Sequence, residues 1–246
     1  MNLRRLLATT GRVLAQLLND KRSIALILWV PIMLELLLRF IYDHHISEFN
    51  RVGAPMLGIF PLVMMFVVAS VATLRERTRG TMERLLVMPI NKGEFVLGYA
   101  LAFAVIAVVQ AVLVSLVTLW LLDLQVSGDK LLVIIISILN GLLGLALGLF
   151  SSAYAKTEFH VVQFLPALIM PQFMLCGLLL PRADMQTALR LVSDVMPLSY
   201  VVDAMQIVAS KSTIAGTHFI RDVIIVAIFV IGSLILGALS IRRQTT

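Results

Sequence analysis

Apolar residues fall along this chain in six long runs, at 24–41, 55–74, 95–122, 131–150, 160–180 and 220–240. Each is near the ~20 residues that a helix needs to cross a bilayer, so the pattern predicts six transmembrane helices. The residues ahead of them, 2–20, follow a different period. Leu3, Leu6, Leu7, Val13, Leu14, Leu17 and Leu18 recur at helical spacing, with Arg4, Arg5, Arg12, Asn19 and Asp20 largely off that face. That predicts an amphipathic helix in the membrane interface, the plainer alternative being a frayed tail whose arginines only set orientation. Between the fifth and sixth runs, 181–219 holds two apolar pieces that Asp194 and Pro197 break apart, each too short to cross. A re-entrant helical hairpin fits if protein covers its turn; two helices lying flat on the headgroups fit the same period.

One polar stretch interrupts the apolar pattern, from Arg75 to Pro89. Arg75, Glu76, Arg77, Arg79, Glu83 and Arg84 keep it out of lipid, and it has its own helix signals. Gly80 can end the preceding helix and Thr81 can cap a new one. Glu83 suits the positive end of that new helix, although Arg84 stands where a capping box would want an acid. Leu85, Leu86 and Met88 supply an apolar side, and Pro89 stops it. The prediction is a short, charged, amphipathic helix between two spans, built to be gripped.

Six spans put both termini on one side, and the basic residues choose the side. Arg4, Arg5, Arg12, Lys21, Arg22, Arg75, Arg77, Arg79, Arg84, Lys92, Lys156, Arg242 and Arg243 share one side; Arg39, Arg51, Lys130, Arg182, Arg190, Lys211 and Arg221 share the other. Thirteen against seven predicts cytoplasmic termini and a cytoplasmic 75–90 segment. Composition agrees with a bilayer: 60% hydrophobic and 14% charged residues leave no long polar region for a large soluble domain. The high isoelectric point reflects cations at span ends, so nucleic acid is not an expected partner. Cys176 is the single cysteine, which excludes a disulfide within the chain and suits a buried thiol. No removable signal peptide is expected, because no small-residue cleavage site follows a short apolar core.

Catalytic chemistry is not predicted. No G-x-x-x-x-G-K-[ST] phosphate cradle exists, and Ser210-Lys211-Ser212 matches only its tail. His44, His45, His160 and His218 form no metal-ligand spacing, and no nucleophile elbow is present. Inside the spans, Glu35 is the exceptional ionisable group, with Arg39 one turn later. It could contact cargo, or the two could neutralise each other. Gln110, Asn140, Gln163 and Gln172 could line a pathway or join helices, as could Ser115, Thr118, Ser137 and Ser233. Gly144 and Gly148 predict close helix packing, and Pro31, Pro61, Pro166 and Pro171 predict breaks or bends.

Two stretches resemble the membrane subunits of type-2 family ABC exporters. Arg75-Glu76-Arg77 followed by Gly80-Thr81-Met82-Glu83-Arg84-Leu85-Leu86 and Pro89-Ile90 is similar to that family's coupling motif. Gly177-Leu-Leu-Leu-Pro181 and Met196-Pro197-Leu198-Ser199-Tyr200 resemble its elements after the fifth span, with Gln206 and Met185 as departures. The resemblance implies an all-α membrane fold over 1–246: six transmembrane helices, an N-terminal interfacial helix, and a re-entrant outer hairpin between spans five and six. It implies a permease of the cell (inner) membrane that pairs with a second permease chain and two cytoplasmic ATPase subunits. Those partners would bind ATP and Mg, leaving this chain no cofactor or metal of its own. Arg75, Glu76, Arg77, Gly80, Thr81, Glu83, Arg84 and Leu85 would couple to the ATPase; Gly177, Pro181, Pro197 and Tyr200 would shape the outer hairpin. The apolar lining suits drug-like or lipid cargo; polysaccharide export, or an ion-coupled secondary transporter using Glu35, are the alternatives.

Overall fold

The computed structural model describes residues 3–78, 92–210 and 217–240, all helices and connections. In chain order the helices are α1 (Leu3–Asn19), α2 (Lys21–Ile41), α3 (Ile46–Thr78) and α4 (Lys92–Leu116), the last continued by a π-helical turn, Val117–Leu121. Then come α5 (Lys130–Ser152), α6 (Glu158–Leu175), a 3-10 turn (Arg182–Asp184), α7 (Thr187–Val195), α8 (Pro197–Ser210) and α9 (Thr217–Ser240). Side-chain caps mark three starts: Asp20 accepts from the Ser23 amide, Asp129 from Leu131 and Thr157 from His160.

Five stretches among the described residues are long and apolar enough to cross a membrane: Ser23–Ile41, Ile46–Thr78, Leu97–Leu121, Lys130–Ser152 and His218–Ser240. They make the chain an all-α, multi-pass membrane protein. The pair α7–α8, bent by 93°, raises the number to six if it is one broken span. Two expectations change here. The second span begins at Ile46 rather than at 55. The expected span at 160–180 is a helix of 18 residues that stops at Leu175. Glu158, His160, Gln163, Gln172 and two prolines dilute its apolar character, and it is not among the five. Nor do the prolines end helices: α2 runs on through Pro31, α3 through Pro55 and Pro61, and α6 through Pro166 and Pro171.

The centre of the bundle is the contact between α3 and α5. A Cβ at Gly144 would be driven into the Leu62 carbonyl, and one at Gly148 would lie 2.6 Å from the Phe66 carbonyl oxygen. Only glycine lets the two backbones meet, as in other close membrane-helix pairs. Polar bonds cross the same contact: Ser137 donates to the Leu57 carbonyl at 2.6 Å, and Asn140 to the Gly58 carbonyl at 2.6 Å. Leu57 is four residues before Pro61, so it is the carbonyl that proline leaves without a helical N–H. The same relation holds in α2. Pro31 frees the Ile27 carbonyl, and Gln110 of α4 donates to it at 3.0 Å.

Around this centre, α8 is buried between α3, α5 and α9, with Leu198, Val201, Val202, Met205 and Val208 in the core. A second apolar cluster joins α1, α2 and α4 through Val13, Leu17, Ile27, Tyr99 and Phe103. The buried stripe of α1 is Leu6, Thr9, Val13 and Leu17. Leu3, Leu7 and Leu18, which the periodicity puts on the apolar face of an interfacial helix, are exposed on the protein, and Thr9 packs against Gly98 of α4.

Replacing Gln110 by Leu should destabilise the bundle by about 1 kcal/mol, the usual worth of one interhelical hydrogen bond in a membrane. In a Pro31→Ala background the backbone amide restored at position 31 bonds the Ile27 carbonyl, so the same substitution should cost almost nothing. Unfolding of the four proteins in mixed micelles measures the cycle; equal costs in both backgrounds would contradict it.

Candidate functional site

The last turn of α3 is where the expected coupling residues enter the described structure. Consecutive helical residues point about 100° apart, so three in a row can reach three neighbours. Arg75, Glu76 and Arg77 do so. Arg75 makes a forked pair with Glu158 at the start of α6, 2.7 Å and 3.0 Å. Glu76, nearly buried, accepts from Gln16 of α1 at 2.8 Å, with Arg12 of α1 at 3.7 Å. Arg77 donates to the Ser152 carbonyl at the end of α5, where the helix dipole favours a cation. Gly80, Thr81, Glu83, Arg84 and Leu85 lie outside the described residues. Sequence reasoning did not identify Gln16, Arg12 or Glu158. Arg12 and Glu158 are ordinary charges in the pattern, and only the fold brings them to α3.

At the other end of α6 a second polar centre holds the bent pair. Gly177 has φ +93°, a left-handed conformation that L side chains rarely adopt, and a Cβ there would sit 3.2 Å from Arg182 Cγ. Pro181 leads into the 3-10 turn that carries Arg182. The Arg182 guanidinium pairs with both Asp194 of α7 and Asp203 of α8, and lies 5.2 Å from the centre of the Tyr200 ring. Burial alone would lower its pKa, but Asp203, and then Asp194, raise it above the ordinary value. Tyr200 donates to the Asp194 carbonyl at 2.6 Å. Pro197 is buried at the 93° corner, where Ser193 donates to the Leu175 carbonyl at 2.8 Å and meets Ser199 at 3.0 Å. Of the four expected residues, Gly177, Pro181 and Tyr200 thus adjoin one arginine, and Pro197 stands at the corner between its two carboxylate partners. Arg182 itself was counted only as an outer cation, and spacings of 12 and 21 residues to its carboxylates give no periodic signal.

The ABC-2 type transporter model matches residues 4–209, most of the chain and both of these centres. The chain belongs to the ABC-2 type transporter family. As an ABC-2 permease it is the membrane component and not the nucleotide-binding ATPase. It is similar to the probable multidrug ABC transporter permease YbhR of Escherichia coli (strain K12), 24% identical over 169 residues, 69% of this chain and 46% of YbhR. YbhS of the same organism, also a probable multidrug ABC transporter permease, is 30% identical over 149 residues, 60% of this chain and 40% of YbhS. ABC transporter G family member 23 of Dictyostelium discoideum is 25% identical over 202 residues, 81% of this chain and 29% of that protein. The chain therefore spans less than half the length of these relatives.

The intramembrane polar residues of this ABC-2 permease divide by what they touch. Gln110 and Asn140 are buried and bond backbone carbonyls of neighbouring helices. Gln172 joins the hairpin corner, accepting from the Leu198 amide at 3.4 Å, while Gln163 is exposed on α6. Glu35 does not neutralise Arg39. Arg39 instead pairs with Asp43 at 3.4 Å and lies over the Phe49 ring at 5.6 Å. Asp43 is also four residues away, on the polar side of the helix end, so the long arginine turns outward. Glu35 is left fully buried with both carboxyl oxygens unpartnered. Cys176 is a buried free thiol beside the Gly177 turn. Among the described residues no group of three or more His, Cys, Asp or Glu could hold a metal.

Arg182→Ala should strand two carboxylates and loosen the hairpin. Because both aspartates keep some solvent contact, the cost should be about 2 kcal/mol rather than that of a fully buried pair. Faster hydrogen exchange confined to 177–203 is the expected readout, with Arg182→Lys intermediate because it cannot fork. Unchanged exchange in Arg182→Ala would contradict this role.

Proposed function

We propose that this ABC-2 permease is the transmembrane part of an ATP-driven exporter that moves a hydrophobic or amphipathic cargo, a drug-like molecule or a lipid, out of the cytoplasm or inner leaflet. It works as a pair with a second copy or a related chain, on two separate ATPase subunits that bind ATP and Mg. The observation carrying the reading is the three-way tie at the end of α3: Arg75 to α6, Glu76 to α1, Arg77 to α5. The segment from Arg75 to Pro89, with Gly80, Thr81, Glu83, Arg84 and Leu85, docks on the ATPase. Any displacement of its root then pulls on three other helices at once.

In this reading both termini and that segment are cytoplasmic, as the bias of Lys and Arg favours. The amphipathic α1 lies in the inner interface, and α6 is the fifth span, with α7–α8 re-entering from the outer face around Gly177, Pro181, Pro197 and Tyr200. The probable multidrug permeases among the relatives support a drug-like cargo. Two Trp and four Tyr give little aromatic lining for a polysaccharide. Of the intramembrane candidates, Glu35 is buried with both carboxyl oxygens unpartnered, so a cargo cation or hydrogen-bond donor would reach it only as the helices around it part, and Gln163 faces outward where a second permease chain would stand.

Purified gently, the permease should bring down an ATPase, and Glu83→Arg or Gly80→Pro should weaken that association at least about tenfold, a cost near 1.4 kcal/mol. Transport by the permease alone in proteoliposomes would refute the proposal. Sidedness has its own test. In a Cys176→Ser background, Met82→Cys should react with a membrane-impermeant maleimide only after the cells are permeabilised; labelling of intact cells would place the segment outside.

A further inference from the structure

Among the described side chains of α2 only Ile27, Pro31 and Glu35 are buried, four residues apart on one line of the helix. The first two have a use: Pro31 frees the Ile27 carbonyl, and Gln110 of α4 meets it. Glu35 has none. It lies about 9 Å inside the Ile41 end of the span, fully buried, and neither carboxyl oxygen has a partner. The cations of the adjoining helix ends are engaged elsewhere: Arg39 with Asp43 at 3.4 Å, Arg51 with Glu48 at 3.0 Å, and Lys130 over the Trp120 ring at 5.2 Å. The π-helical turn Val117–Leu121, which packs on α2, carries no ionisable residue, and its Thr118 hydroxyl is spent on the Val114 carbonyl. A carboxyl held this way in hydrocarbon costs stability, and it is spared a bare charge only by keeping its proton. The span that carries it is also the one held least, with 17% of its window buried against 61% for α3. Gln110 ties α2 to α4 on the near side of Pro31, and prolines are where helices bend. The half of α2 beyond Pro31 can therefore swing away from α3 and the π-helical turn, a type of turn frequent at functional sites.

We infer that the cargo is a lipophilic cation and that Glu35 receives it as the outer half of α2 parts from its neighbours. This rests on the exporter reading and narrows its cargo to one sign of charge. A cation that takes the place of the carboxyl's proton, which leaves to water, forms an ion pair where the dielectric is low and the attraction strong. A neutral cargo gains nothing from the carboxyl, and an anionic one is repelled by it once ionised. The arriving cation thus supplies the partner that no group of the described chain provides. ATP hydrolysis remains the energy source, and the carboxyl decides which charge is accepted.

The test uses the full chain with its ATPase in proteoliposomes and three probes of one shape: tetraphenylphosphonium, tetraphenylsilane and tetraphenylborate, positive, neutral and negative. ATP should drive the phosphonium and neither of the others. Glu35→Gln, which keeps the size of the side chain, should lower phosphonium movement roughly tenfold. Glu35→Asp, shorter but still acidic, should keep the preference for the cation at a lower rate. The order of the three probes on the wild-type protein needs no variant, so it decides even where Glu35→Gln fails to fold. Silane or borate moved as readily as the phosphonium, or a folded Glu35→Gln chain that moves phosphonium like wild type, overturns this inference and leaves the exporter reading in place. Movement of none of the three overturns both.

Discussion

A backbone in hydrocarbon must satisfy every one of its own polar groups, and this bundle is arranged around the places where it cannot do so alone. Pro31 and Pro61 each free a carbonyl one turn back. In both cases a polar side chain from the neighbouring helix supplies the missing donor: Gln110 for Ile27 and Ser137 for Leu57. These bonds fix register as well as proximity, since each donor has one carbonyl to find. The α3–α5 pair adds Gly144 and Gly148, where any side chain would collide with the opposite backbone. Steric fit and proline repair therefore act on the same helices, and α3 becomes the member against which the others are placed.

That arrangement gives the end of α3 its meaning. A helix of 33 residues, held against α5 from Leu57 to Ser70, is suited to carry a displacement from one end to the other. Its terminal charges are split among α1, α5 and α6. None of the three contacts is worth much alone at a partly exposed surface. Together they make the root of the Arg75–Pro89 segment a junction of four helices, while the arginine-centred hairpin closes the opposite end of α6.

Much of the fold was legible from periodicity: the long apolar runs, the amphipathic start, the corner at Pro197 and the small-residue contact at Gly144 and Gly148. What could not be read were the partners. Arg75 meets a carboxylate 83 residues away, Glu76 an amide 60 residues away, and Arg182 its two carboxylates across a turn with no repeat. Local spacing even misled at Glu35, where the four-residue rule pointed to Arg39. The same rule joined Arg39 to Asp43, and the more polar helix end took the arginine. Run length misled at α6, whose apolar stretch continues beyond Leu175 although the helix does not, because Gly177 turns the chain.

The far end of α8 carries a consequence for assembly. Its last carbonyls, at Val208 and Ala209, accept from the amides of Gly128 and Ser127 at 2.9 and 3.0 Å. Those amides belong to the connection between α4 and α5, made long before α8 leaves the ribosome. The hairpin therefore closes onto a receptor already made, before α9 completes the bundle. Until it docks, the Val208 and Ala209 carbonyls lack these partners and must be met by water.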